Sequence, residues 1–291
     1  RRMEGWLVGK YRVKPTDVDD NAKELAKILN DGDLVISAGG DGTAVIATNG
    51  AMLSGKDVTL GVLGYGNFND MARMLGAKRA VEYGGEYVGG VTEIAQKFAE
   101  GKTKEIYPLE VKVNGEHWRY VPCYVTLGLF AESVAVFDDA KVRKKLQTGK
   151  KGLVFSVWNL AKWYFKNRKR EFLPKGELER SGVGLAFSEK TTDYMAINGS
   201  SMARIMRGGK SYRKEKEFRS NISGLGGFFG LVWFMMRSVF VRVPGKKTKR
   251  DVIKFAEASE VEIQAEGEYQ RLKDVREIVV EKKKVLKVVG K

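Results

Sequence analysis

The first hundred residues alternate between short apolar runs and amphipathic stretches, a pattern that predicts alternating strands and helices. Short apolar runs are typical of buried parallel strands, whereas apolar positions spaced three and four residues apart are typical of helices that cover a sheet. The expected elements are a strand at Trp6–Val13, a helix at Asp17–Leu29, a strand at Asp33–Ala38, a helix at Ala44–Leu53, a strand at Val58–Leu63, a helix from Met71 and a helix over Ile94–Glu100. This order favours an α/β domain with a parallel sheet.

Beyond about residue 105 the pattern changes to shorter runs typical of antiparallel strands, with helices interrupting them near residues 150–168. The predicted strands are Leu109–Val113, His117–Leu127, Val183–Phe187, Asp193–Asn198, Phe240–Val243, Glu260–Gln264 and Val275–Val280. We therefore expect an α/β domain over residues 1–105, followed over residues 106–291 by a mainly antiparallel β-sandwich with helical insertions.

One uncharged segment of 16 residues, Asn221–Met236, lies between two arginines in the second half. It is short for a transmembrane helix, and no run of 18 apolar residues occurs elsewhere in the chain. A core element, an interfacial element or a lipid-lined groove fits this segment better.

The charge of the chain is unevenly distributed. The 291 residues carry a net charge of +16, yet residues 1–105 hold 14 Lys and Arg against 15 Asp and Glu. The excess of positive charge therefore lies entirely after residue 105. The densest part, residues 141–180, has 13 basic and 3 acidic side chains and contains aromatic residues at helical spacing. Such a surface attracts a membrane or a nucleic acid, although charge also serves solubility and the aromatic stripe also suits packing within the domain. A single cysteine and a single histidine exclude a disulfide framework and a multi-histidine zinc site.

The glycine-rich stretch at residues 39–43, Gly-Gly-Asp-Gly-Thr, lies between a predicted buried strand and a predicted helix. Glycines at this position let backbone N–H groups approach a phosphate, and the N-terminus of the following helix favours negative charge. The carboxylate of Asp41 would repel a phosphate unless a cation intervened, so the loop indicates a nucleotide with Mg²⁺.

The sequence resembles the diacylglycerol kinase catalytic family, which includes bacterial lipid kinases and sphingosine kinases. Residues 39–43 are similar to the family's nucleotide loop, which NAD kinases share, and residues 64–73 (GYGNFNDMAR) are similar to its second motif. Residues 127–132 (LGLFAE) and 266–268 (Glu-Gly-Glu) are similar to its third and fourth motifs. The resemblance implies an N-terminal nucleotide-binding domain, expected to lack its first strand, and a basic lipid-binding domain that contributes Glu268 to the cleft between them.

The resemblance also implies roles for individual residues. Glu268 would be the general base for a lipid hydroxyl, and Asp70 and Asp41 would complete the catalytic group, with Asp41 holding Mg²⁺ directly or through water. The residues expected to bind ATP are Gly39, Gly40, Asp41, Gly42, Thr43, Gly66, Asn67, Asn69 and Arg73. The sequence departs from the family's motifs at Val45, Ile46, Gly64, Asn67 and Glu266.

These observations predict a cytoplasmic lipid kinase, peripherally bound to an anionic membrane, that transfers the γ-phosphate of ATP to a lipid hydroxyl such as that of diacylglycerol or a sphingoid base. Two alternatives stay open: a kinase of a soluble alcohol, as NAD kinases are, and a catalytically weakened basic protein that binds membrane or nucleic acid. No nucleic-acid partner is expected, and a homodimer is left open.

Overall fold

The computed structural model describes residues 18–66, 68–77, 90–138, 159, 161–202, 206–224 and 227–290. The predicted strand Trp6–Val13 and residue Asn67 lie outside these ranges.

The N-terminal part is a small sheet with helices against it, as the alternating pattern predicts. The strands are β1 (Leu34–Gly39), β2 (Thr59–Gly64) and β3 (Thr103–Ile106), and the helices are α1 (Val18–Ile28), α2 (Asp41–Ser54), α3 (Asp70–Leu75) and α4 (Gly90–Ala99). β1 and β2 pair in parallel, and their last residues, Gly39 and Gly64, lie side by side. Both glycine-containing loops therefore leave the sheet at the same edge.

Most of the described residues between 109 and 281 form a large antiparallel sheet, in which ten strands are described, so the predicted α/β-then-antiparallel fold is confirmed. Its strands are β4 (Leu109–Val113), β5 (Glu116–Val121), β6 (Tyr124–Gly128), β7 (Gly176–Arg180), β8 (Val183–Phe187), β9 (Asp193–Ile197), β12 (Phe218–Ser223), β13 (Lys246–Thr248), β14 (Arg250–Ala265) and β15 (Glu268–Glu281). A separate hairpin consists of β10 (Ser201–Met202) and β11 (Met206–Arg207). The predicted strand His117–Leu127 is divided into β5 and β6.

The last strand, β16 (Leu286–Val289), returns to the first sheet, where it lies between β2 and β3. The predicted division at residues 105 and 106 placed this strand in the second domain. Its four residues carry no local signal for the sheet that they join, because the pairing depends on partners at least 180 residues away in the sequence.

Two helices pack on the antiparallel sheet and its hairpin: α5 (Leu129–Asp138) and α6 (Phe228–Phe240). Residues 161–167 are also helical, within the helical interruption predicted near 150–168. The prediction of a strand at Phe240–Val243 is wrong, because Phe240 is the last residue of α6 and Leu231, Phe234 and Ser238 of that helix are buried at helical spacing. Within the described residues, no helix is both long and apolar enough to cross a membrane.

One hydrophobic cluster joins the two parts of the molecule, since it contains Leu60 and Met71 of the first part together with Tyr124 and Phe130 of the second. Polar contacts reinforce this junction. The side chain of Asn49 in α2 donates to the carbonyl of Tyr120 at 2.8 Å and accepts from its N–H group at 2.7 Å. Because these bonds satisfy buried backbone groups of β5, they fix α2 against the antiparallel sheet.

Candidate active site

The glycine-rich loop joins β1 to α2 at the edge of the parallel sheet. Gly40 precedes the first turn of α2 in an extended conformation and supplies no side-chain cap, so the first N–H groups of the helix point toward this edge. A Cβ atom on Gly39 would lie 2.3 Å from Oγ1 of Thr43, and one on Gly66 would lie 2.6 Å from Cα of Gly40. Glycine is therefore required where the two loops touch, and the geometry suits an anion at the helix N-terminus.

The second loop, residues 64–70, is closed by Asn69. Its side chain accepts from the N–H of Gly66 at 2.7 Å and donates to the carbonyl of Gly66 at 2.6 Å, while its backbone adopts a left-handed conformation with φ of 52°. The amide of Asn69 thus shapes the loop that faces Gly40. Asparagine tolerates this backbone conformation better than most residues do. The predicted nucleotide contacts of Asn69 and Gly66 stay predictions, as does that of Asn67 outside the described residues.

Asp41 and Asp70 connect the two loops. Oδ1 of Asp41 accepts a 2.6 Å hydrogen bond from the N–H of Asp70. Burial and the neighbouring carboxylate of Asp70 together raise the pKa of Asp41 to about 6. The two negative groups are therefore held close in a largely buried place, where a cation would be attracted.

Asp70 is anchored from both parts of the molecule. Its Oδ1 forms an ion pair with Arg73 and accepts a 2.7 Å hydrogen bond from the hydroxyl of Ser201 in β10. Nη2 of Arg73 also donates to Ser201 at 3.3 Å, and Nη1 donates to the carbonyl of Phe68. The guanidinium of Arg73 thus binds protein groups on both sides, and its predicted contact with the nucleotide stays a prediction.

The third element is the tight hairpin between β14 and β15, in which Ala265 pairs with Glu268. The two turn residues, Glu266 and Gly267, have φ values of 51° and 92°, as a two-residue turn of type I′ requires. Because Glu266 lies within this turn and Glu268 directly follows it, the turn determines where both carboxylates begin.

Glu268 lies directly against the glycine-rich loop. A Cβ atom on Gly42 would be 2.1 Å from Oε1 of Glu268 and 3.0 Å from its Cδ. This carboxylate has room only because residue 42 is a glycine, which has no side chain. The structure thus brings together a predicted base and a predicted phosphate loop that are separated by 226 positions in the sequence.

Glu266 has a different position, since it is buried and faces the interior of the site. Its Oε1 accepts from the N–H of Cys123, and its Oε2 is buried with no hydrogen-bond partner among the residues that the structure describes. Burial, followed by the charges of Asp41 and Asp70, raises the pKa of Glu266 well above its usual range. The raised pKa favours the neutral form of Glu266, whereas a cation bound nearby would favour its charged form.

The donor set fits a cation that is shared with a nucleotide. Among the described residues, no group of three or more His, Cys, Asp and Glu side chains is arranged to hold a metal ion by itself. Mg²⁺ usually takes one or two protein carboxylates and completes its shell with phosphate oxygens and water. Asp41, beside the N-terminus of α2, is the residue that would hold such an ion.

Sequence reasoning missed two participants. Ser201 comes from a two-residue strand with no recognisable motif, and only the fold places it on Asp70. Glu266 was noted only as a departure from the family's fourth motif, since burial of its carboxylate depends on β6 and the loop before it. The predicted residues Gly39, Gly40, Asp41, Gly42, Thr43, Asp70 and Glu268 do lie around one site.

Comparisons with known proteins find a matching family model and structures of similar fold. Residues 6–106 match the model of the diacylglycerol kinase catalytic domain. A structure described as a diacylglycerol kinase from Bacillus anthracis str. Sterne is 18% identical, with a TM-score of 0.62 and coverage of 96% of this chain and 84% of that chain. Two further structures from the same organism, provisionally named a diacylglycerol kinase, are 17% and 18% identical with TM-scores of 0.62 and 0.59, each covering 95% of this chain and 84% of the other.

A search of curated proteins finds no match to the chain. At these identities the solved structures establish the fold, whereas the family model identifies the segment that carries both glycine-containing loops. Residues 6–106 therefore resemble the diacylglycerol kinase catalytic domain, which confirms the resemblance drawn from the sequence motifs.

Proposed function

We propose that this protein is a lipid kinase that uses ATP and Mg²⁺ to phosphorylate the hydroxyl of a membrane lipid such as diacylglycerol. The observation that carries the proposal is the contact between Glu268 and Gly42. A carboxylate beside a helix N-terminus is where a base must lie if it is to deprotonate a hydroxyl that attacks a bound phosphate.

The residues divide the reaction between them. The N–H groups at the start of α2 bind the phosphates, and the glycines of residues 39–42 allow the close approach. Asp41 would hold a Mg²⁺ ion, which would neutralise part of the charge of the phosphates. The acceptor oxygen forms a bond to the γ-phosphorus while the bond from that phosphorus to the β–γ bridging oxygen breaks. ADP leaves, and the hydroxyl proton goes to the carboxylate of Glu268.

Asp70 positions the side chains that carry out this reaction. Its backbone N–H holds Asp41, while its carboxylate is held by Arg73 and Ser201. Because phosphoryl transfer depends mainly on positioning and charge neutralisation, a buried and multiply anchored Asp70 supports the kinase assignment.

The test measures transfer of radiolabelled γ-phosphate from ATP, with Mg²⁺, to a panel of acceptors. Diacylglycerol, a sphingoid base and phosphatidylglycerol are presented in mixed micelles, and NAD⁺ serves as a soluble alcohol. Asp41→Asn keeps an acceptor for the N–H of Asp70 but removes the charge, and Glu268→Gln removes the base; we expect each to lose at least about 100-fold in kcat.

Glu257→Gln is the matched control, because Glu257 is an exposed glutamate of the same hairpin. We expect this variant to retain wild-type activity. Full activity in Asp41→Asn or Glu268→Gln would overturn the proposed roles. Label in NAD⁺ but in no lipid would favour the kinase of a soluble alcohol.

A further inference from the structure

Helix α6 has one buried face and one exposed apolar face. Leu231, Phe234 and Ser238 are buried, and the ring of Phe234 lies 5.2 Å from that of Phe130. On the opposite side, four large apolar residues recur at intervals of three and four positions. They are Phe229, Trp233, Met236 and Phe240, with exposed fractions of 84%, 72%, 52% and 65%.

This apolar surface continues onto the helical residues 161–167. The ring of Phe165, 45% exposed, lies 4.8 Å from that of Phe228, so the two helical segments are neighbours. A surface of adjoining exposed aromatic side chains is unusual for a protein that meets only water. We call the four exposed α6 residues and Phe165 the docking face.

The charged residues in the two segments that carry the docking face are all basic. Residues 161–170 and 228–242 contain no Asp or Glu. Their basic residues are Lys162, Lys166, Arg168, Lys169, Arg170, Arg237 and Arg242. The guanidinium of Arg168 lies 5.7 Å from the centroid of the Phe165 ring, so positive charge directly borders the aromatic surface.

Charge decides which occupant this surface suits. A second copy would bring its own excess positive charge toward an already basic rim, because the chain carries +16. An anionic bilayer supplies the opposite charge, and each Lys or Arg near its surface adds to the attraction. Tryptophan and phenylalanine also insert favourably at the boundary between headgroups and acyl chains.

We propose that the docking face inserts into the headgroup region of an anionic lipid bilayer and holds the protein on that surface. This inference deepens the proposed function, on which it rests, by naming the surface from which the lipid acceptor is taken. Helix α6 lies along the interface with its buried face on the protein, and the basic rim meets the anionic headgroups.

Vesicle flotation tests the proposal with the whole chain in a Glu268→Gln background, so that binding is measured without any transfer. We expect binding to vesicles of phosphatidylcholine with 30% phosphatidylglycerol, weakened by salt, and at least tenfold weaker binding to pure phosphatidylcholine. Phe229→Glu/Trp233→Glu should reduce binding to the anionic vesicles at least tenfold. Val183→Glu/Leu185→Glu is the matched control, because both residues are exposed apolar side chains on β8, and it should bind as before.

Tryptophan fluorescence gives a second measurement that does not depend on a charged substitution. Vesicles should shift the emission of Trp233 to shorter wavelength, and Trp233→Phe should keep most of the binding but lose most of the shift. The chain has five tryptophans, so the shift is taken as the difference between the two proteins.

The outcomes separate the docking face from the catalytic assignment. Equal vesicle binding by Phe229→Glu/Trp233→Glu and the control would overturn the docking face. The docking face would also be overturned if the protein bound no vesicles and instead formed a concentration-dependent dimer that Trp233→Glu abolished. Vesicle binding that follows the expected pattern, with no transfer to any lipid by the wild type, would support the docking face and overturn the lipid kinase.

Discussion

Gly42 lies against the carboxylate of Glu268, so a single methyl group added there should displace the proposed base without removing it. In Gly42→Ala the new Cβ would lie 2.1 Å from Oε1 of Glu268, whereas Cβ atoms essentially never approach other atoms closer than 3.0 Å. The carboxylate must therefore move by at least 0.9 Å, the difference between these two distances.

The size of the effect follows from this displacement. Misplacing a catalytic group by about 1 Å costs about 100-fold in rate, or about 2.7 kcal/mol of transition-state stabilisation. Stability should change little, because Gly42 is in α2, where alanine gains about 1 kcal/mol over glycine. Crowding against the end of a flexible side chain offsets part of this gain.

The assay compares kcat for phosphate transfer to the preferred acceptor with the melting temperature of each protein. We expect Gly42→Ala to lose about 100-fold in kcat and to melt close to the wild type. Gly209→Ala is the matched control, since its nearest non-neighbouring atom, Oγ of Ser211, would be 3.9 Å from the new Cβ. This control should retain wild-type kcat.

A double-mutant cycle tests whether the effect acts through Glu268. If Gly42→Ala works by displacing that carboxylate, adding it to Glu268→Gln should cost less than about threefold more, since two changes in one interaction are not additive. A further 100-fold loss in the double variant, or wild-type kcat in Gly42→Ala, would refute the reasoning.

Two other predictions concern groups that support the site or the fold. Ser201→Ala should lower kcat about tenfold, because Asp70 loses a hydrogen bond worth about 1.5 kcal/mol while keeping Arg73, and Ser201→Thr should restore it. Loss of activity through a raised KM alone would contradict this positioning role. Burial raises the pKa of Asp193 from 3.8 to about 8, so the folded protein keeps a proton that the unfolded chain releases, and stability should fall as pH rises from about 4 to about 8. Asp193→Asn should flatten this pH dependence in thermal melts, because the asparagine does not titrate but can still accept the hydrogen bond from the N–H of Phe130. Parallel stability profiles for the two proteins would contradict this prediction.

Local pattern was sufficient for the elements that position the phosphate loop. Helix α1 is observed at Val18–Ile28 against a predicted Asp17–Leu29, and the strands on either side of α2 lie within one residue of their predicted bounds. These elements follow from the spacing of apolar residues over a dozen positions and from glycines at strand ends. The strand predicted at Phe240–Val243 failed, because four apolar residues do not distinguish a strand from the end of a helix.

The sequence predicted individual residues of the site but not the contacts between them. The motifs indicated Asp41, Asp70 and Glu268, but not that Ser201 holds Asp70 from 131 positions away or that the carboxyl of Glu266 is buried. Neither contact leaves a periodic signal, because each depends on the packing of the antiparallel sheet against α2 and α3.

The sequence by itself determined the order of the two kinds of sheet, the glycine-rich loop between a strand and a helix, and the excess of basic residues after residue 105. Each of these depends on composition or on neighbours a few residues apart. Only the tertiary structure decided that β16 joins the first sheet, that Glu268 lies against Gly42 and that one apolar face of α6 is exposed. Strand order, close approach and exposure are set by which distant surfaces bury one another, and that information exists only when the whole chain is folded.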